Sequence, residues 1–161
     1  MYCFFLVILA KTISYIMDFE SVLSNSHTKK YLKETIDTNR IAHAQLFVGE
    51  EGVGTLPMAI AYATELLCKT GDAHTAIKCA HLNHPDLHFA YPTAITTQVK
   101  DHPTSSAFLE QWRQFVLETP YGSLFDWYQA IDIANKQGKI GVDDAKEIPS
   151  KLSLKSFEGG Y

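Results

Sequence analysis

Phe108, Leu109, Trp112, Phe115 and Val116 fall at i, i+1, i+4, i+7 and i+8, a spacing that predicts an amphipathic helix with an aromatic face. Upstream, Met58, Ala59, Ile60, Ala61, Tyr62, Ala63, Leu66 and Leu67 form a longer, mostly apolar run. Such a run predicts a helix buried on most of its surface, as when a helix packs on a sheet. Ser26 suits the cap of a third helix, through about Asn39, with Tyr31, Leu32 and Ile36 inward. Asp143 and Asp144 suit the first turn of a last helix reaching about Leu152. Pro149 falls inside that helix, where a proline costs about 3 kcal/mol or forces a kink. Gln45 to Val48 and Leu87 to Phe89 read as short strands, with a third near Ile140. Leu124, Phe125, Trp127, Tyr128 and Ile131 form a second aromatic cluster after the turn at Pro120-Tyr121-Gly122. Core packing is the preferred reading of both aromatic sets, ahead of a partner surface.

Between the first strand and the apolar helix lies Gly49-Glu50-Glu51-Gly52-Val53-Gly54-Thr55-Leu56. Its glycines match the Walker A pattern G-x-x-x-x-G-K-[ST], but Thr55 stands in the lysine position and Leu56 in the hydroxyl position. In a working loop, backbone N–H groups and the helix N-terminus cradle phosphates, lysine adds charge, and the hydroxyl holds Mg²⁺. Gly49, Gly52, Gly54 and Thr55 are therefore the candidate nucleotide-binding positions, in a loop whose chemistry is expected to be lost. No catalytic residue is assigned. Pro57 fits the first turn of the following helix. Strand, glycine loop and buried helix in this order predict an α/β fold: a three-layer α/β/α P-loop domain with a mostly parallel sheet. A plain glycine-rich turn that never meets a nucleotide is the alternative.

The chain has 161 residues, 46% hydrophobic and 20% charged, which suits one globular domain. A net charge of −4 gives no global footprint for nucleic acid. Lys29, Lys30, Lys33 and Arg40 are better explained as a solvated helix face than as a binding patch. Three cysteines give no disulfide framework, so a reducing compartment, the cytoplasm, is expected. Residues 1–16 carry an apolar run too short to span a bilayer and poorly built for a signal peptide. They are read as upstream translation before a natural start at Met17, with a membrane anchor as the alternative. Residues 17–161 are read as one domain with a polar insert at 68–85, and the scarcity of strands suggests that it is incomplete at the C-terminus.

Arg40 to Gly49, the altered loop, the cysteine-bearing insert, His84-Pro85-Asp86-Leu87 and Ile140-Gly141-Val142-Asp143 occur in a specific order. Together they resemble the N-terminal AAA+ domain of bacterial DNA polymerase III clamp-loader subunits of the delta-prime type. Gln111-Trp112-Arg113 and Tyr121 through Tyr128 resemble the Bacteroidetes form. The resemblance runs from Phe19 to Tyr161. It implies a non-catalytic AAA+ subunit that helps load the sliding clamp on primed DNA. The implied partners are the gamma/tau and delta subunits, with clamp and DNA engaged indirectly and no membrane. ATP or ADP held without hydrolysis is a secondary expectation. The Ser-Arg-Cys finger and the acidic strand of that family are absent from this sequence.

The family often carries four zinc-binding cysteines in the insert. Here Cys68 and Cys79 match two positions, while Ala76 and Leu82 occupy the other two. His74, His81 and His84 follow no standard ligand spacing, so an eroded site without zinc is expected. Two other functions stay open: an ATP-hydrolysing subunit of the gamma/tau type, and a small zinc-binding structural module.

Overall fold

A computed structural model describes residues 17–157 except Ser24 and Ala134, so the expectations placed on residues 1–16 lie outside the described residues. Helix α1, Ser26–Asp37, starts at Asn25, whose backbone sits at φ 52° and whose side chain accepts from Thr28 N–H at 3.1 Å. The cap is thus Asn25, not Ser26. Leu32 and Ile36 are buried, but Tyr31 faces solvent. Helix α2 runs Thr55–Thr70, with Gly54 as its cap. Helix α3, Thr75–Ala80, lies within the polar insert at 68–85. A 3₁₀ turn, Ser105–Phe108, leads into α4, Leu109–Glu118. Helix α5, Leu124–Ala130, begins at a capping box, in which Ser123 and Asp126 each bond the other's backbone N–H. Helix α6, Val142–Leu152, runs through Pro149. Pro149 cannot bond the Ala145 carbonyl, yet both residues lie on the solvent side, where water can take that carbonyl.

The core lies on the two sides of α2. On one side Met58, Ala61 and Tyr62 pack with Phe19, Val22, Leu32 and Ile36. On the other, Ile60 joins a larger cluster with Leu82, Tyr91, Phe108, Trp112, Phe115, Val116, Trp127 and Ile131. That division explains why α2 is apolar nearly all round. In the larger cluster Trp112 stacks on Tyr91, ring centroids 4.0 Å apart. Trp127 stands edge-on to both, at 5.0 Å from Trp112 and 5.1 Å from Tyr91. Each such pair adds about 0.5–1.5 kcal/mol beyond burial. The Trp127 indole N–H donates to the Pro92 carbonyl at 2.8 Å, satisfying its one polar atom. Both aromatic sets are core, although Leu124 and Phe125 of the second face solvent.

The expected α/β fold, three α/β/α layers with a mostly parallel sheet, is contradicted. The regular elements among the described residues are all helices, and the one β-type pairing among those residues is a single antiparallel bridge between Thr93 and Lys139. Gln45 to Val48 forms no strand, and Leu46 is 88% exposed and Val48 81% exposed. Side chains hold this segment instead. Phe47 tilts against Tyr62 at 6.2 Å, and Gln45 donates its amide N–H to Tyr62 Oη at 2.5 Å. Leu87 to Phe89 likewise forms no strand and pairs with none among the described residues. Near Ile140 only the neighbouring Lys139 is bridged. Alternation biases a segment toward extended backbone, but a sheet also needs a second strand about 4.8 Å away, supplied from elsewhere in the chain.

Candidate functional site

The glycine loop follows the Gln45 to Val48 segment and turns through a bond from Val53 N–H to the Glu50 carbonyl at 3.3 Å. Gly52 and Gly54 have φ of 80° and 91°, values that side chains rarely allow. Gly54 is buried and caps α2, its carbonyl accepting from Met58 N–H at 3.0 Å. Thr55 is the first helical residue and is half-buried, Leu56 follows, and Pro57 completes the first turn. Gly49, by contrast, has no positive φ, and a Cβ there would meet the Val53 and Thr55 methyls at 2.7 and 2.8 Å. The four sequence candidates, Gly49, Gly52, Gly54 and Thr55, thus share one continuous turn.

Beside this turn lies a hollow of about 380 Å³, bounded by Asn25, Thr28, Tyr31, Val48, Gly54 and Thr55 among others. None of its lining residues is charged. Thr55 offers it only a neutral hydroxyl. Glu51 is turned aside, its Oε1 accepting from Leu124 N–H at 3.3 Å. There the carboxylate meets the positive end of α5.

Sequence reasoning missed Tyr121. Its ring covers Gly54 so closely that a Cβ at Gly54 would sit 2.8 Å from Tyr121 Cε1. Its hydroxyl oxygen accepts from Leu23 N–H at 2.6 Å, which fixes the ring between the N-terminal segment and the loop. The proline and glycine around Tyr121 signalled a turn, and nothing local signalled that the turn meets the loop.

In the insert the structure does not gather a ligand set. Cys68 is exposed at the end of α2, whereas Cys79 is buried in α3. His74 and His81 face solvent on either side of α3. His84 is buried, with Nδ1 accepting from Asp86 N–H at 3.1 Å, so Nε2 carries the proton in the neutral ring. Among the described residues no group of three or more His, Cys, Asp or Glu side chains is arranged to hold a metal ion. No helix among them is long and apolar enough to cross a membrane.

A second polar region joins the aromatic core to α6. Tyr91 and Ser105 exchange three bonds: Tyr91 N–H to Ser105 Oγ, Ser105 Oγ to the Tyr91 carbonyl, and Tyr91 Oη to the Ser105 carbonyl. Burial, and after it the nearby Asp144 charge, push the Tyr91 phenol well above its usual range. It is a structural donor, not an acid at neutral pH.

Comparison with known proteins bears on the chain as a whole. The family described as DNA polymerase III, delta subunit, matches residues 24–161. DNA polymerase III subunit delta′ of Bacillus subtilis (strain 168) is 34% identical over 73 residues, covering 42% of this chain and 22% of that relative. The chain therefore aligns with about a fifth of the relative's length. No solved structure matches.

Proposed function

Because this chain belongs to the DNA polymerase III delta-subunit family, we propose that it serves as a non-catalytic subunit of the clamp loader. In that role it takes part in placing the sliding clamp on primed DNA. Its partners are the gamma/tau and delta subunits, with clamp and DNA engaged through them, and its place is the cytoplasm. The observation that carries the non-catalytic reading is the uncharged hollow beside Gly54 and Thr55. A triphosphate carries several negative charges, and catalysis of its transfer rests on positive groups and a metal-holding hydroxyl. Here Thr55 brings no charge, Leu56 brings no oxygen, and Glu51 is committed to α5. Gly54 has a packing role of its own, since it receives the Tyr121 ring.

Two measurements test this reading. Mixed with the tau/gamma and delta subunits of its own cell, the full chain should co-elute with them on size exclusion. Alone, it should show no Mg·ATP turnover above a protein-free blank. Turnover that disappears in Gly54→Val would overturn the non-catalytic assignment and favour the gamma/tau type. Failure to enter any complex with those subunits would overturn the clamp-loader assignment itself.

A further inference from the structure

Helix α6 is fastened to the rest of the molecule almost wholly by polar groups. Its one buried residue is a carboxylate, Asp144, while Val142 and Leu152 are exposed. Asp144 Oδ1 accepts from Ser105 N–H at 2.7 Å, and Oδ2 from Gly141 N–H at 3.2 Å. One turn further, Glu147 accepts from Ser106 Oγ at 2.7 Å. Lys151 donates to Ser106 Oγ at 2.6 Å and to Glu147 at 3.0 Å. At the start of the helix Asp143 Oδ2 meets His102 Nδ1 at 2.8 Å. The partners across this junction all lie in one short stretch, residues 102–106. A cavity of about 110 Å³ sits under the helix, between Ile148 and Phe89, so apolar contact there is incomplete.

The receiving side is built differently. Ser105 is locked to Tyr91, which stacks on Trp112 in the aromatic core. Units that open separately in native proteins are those with few buried apolar contacts and many exposed polar ones. Here the two kinds of attachment meet at a single seam.

We propose that α6 is a carboxylate-latched unit that opens from the 102–106 segment while the aromatic core stays folded. Opening breaks the bonds of Asp143, Asp144 and Glu147 to His102, Ser105 and Ser106 and uncovers Phe89 and the inner side of Ile148. Joined to the already exposed Leu152, Leu154 and Phe157, these form an apolar surface that the closed state divides.

Hydrogen exchange of the full chain, read by mass spectrometry at fixed pH over low urea concentrations, separates the two units. Peptides of α6 should exchange faster than those of α4 and with a weaker dependence on urea. Ser106→Ala should speed α6 exchange by at least about threefold, and Asp144→Asn by about tenfold or more, with α4 unchanged. If Asp144→Asn fails to fold, the exposed Ser106→Ala still decides the matter. Matching rates and urea dependence for α6 and α4 in the unaltered chain would overturn the proposal. So would α6 protection indifferent to Ser106→Ala.

Discussion

Replacing Gly54 by alanine asks the loop to do two things that the structure opposes. The residue sits at φ 91° and ψ 29°, and an L side chain in the left-handed region costs about 1–2 kcal/mol. The new Cβ also lands 2.8 Å from Tyr121 Cε1. That ring cannot swing away freely, because its hydroxyl holds Leu23 N–H at 2.6 Å. Overpacking of this kind adds about 1–3 kcal/mol. Gly54→Ala should therefore destabilise the chain by about 2–5 kcal/mol, a large part of the roughly 5–15 kcal/mol typical of a domain. Gly52→Ala is the internal control. It has φ 80°, but nothing lies within 4 Å of its Cβ, so only the backbone cost of about 1–2 kcal/mol applies. Urea unfolding of the full chain, followed by the fluorescence of buried Trp112 and Trp127, measures both. Tyr121→Ala combined with Gly54→Ala should recover about 1–3 kcal/mol relative to the sum of the single changes. Equal losses for Gly52→Ala and Gly54→Ala would refute the reasoning, since they would mean that Tyr121 does not press on the loop.

Trp127→Ala should cost about 3–5 kcal/mol by the same unfolding assay, whereas Phe125→Ala, at a 55% exposed site on the same helix, should stay within about 0.5 kcal/mol. Ser123→Ala should cost about 1 kcal/mol through loss of the α5 cap, and Thr, which keeps the hydroxyl that donates to Asp126, should substitute there better than Ala. The His102 imidazole, bonded to Asp143, should titrate above its ordinary value of 6.5 by NMR and fall back in Asp143→Asn. His102 is raised, so its share of stability is full at low pH and fades as pH climbs through the folded value. Asp143 is held below 3.8, chiefly by His102, so its share is present above 3.8 and fades as pH drops through the lower folded value. The pair therefore contributes between those two limits, and a His102 titration that Asp143→Asn leaves unmoved would contradict the contact.

Helix positions were legible because their signals are local. The 3.6-residue spacing of Trp112, Phe115 and Val116 set α4 and its inward face. The acidic first turn of α6 and the cap chemistry before α1 placed those helices within a residue or two. The short α3 was missed because six residues carry too little periodicity to stand out from a polar stretch. The turn before α2 was legible too, since its glycine spacing is written in the sequence. The family was legible for a similar reason: it rests on the order of several short motifs, which survives whatever the packing does.

What lay beyond the sequence is what depends on meetings between distant residues. Extended pattern at Gln45 to Val48 predicted a sheet, but backbone pairing needs a partner strand, and the segment packs on Tyr62 instead. Cysteine and histidine types left a ligand shell open only as an alternative, and where each side chain lies was a matter of folding: Cys79 and His84 are inside, Cys68, His74 and His81 outside. Tyr121 reaches Leu23 across 98 residues, and Asp144 reaches Ser105 across 39, with no local periodicity announcing either contact. The sequence determined α1, α2, α4, α6 and the family, because each follows from the chemistry of near neighbours or from motif order. Tertiary structure alone decided what covers the loop and what latches α6, because only folding brings those groups within hydrogen-bonding and van der Waals reach.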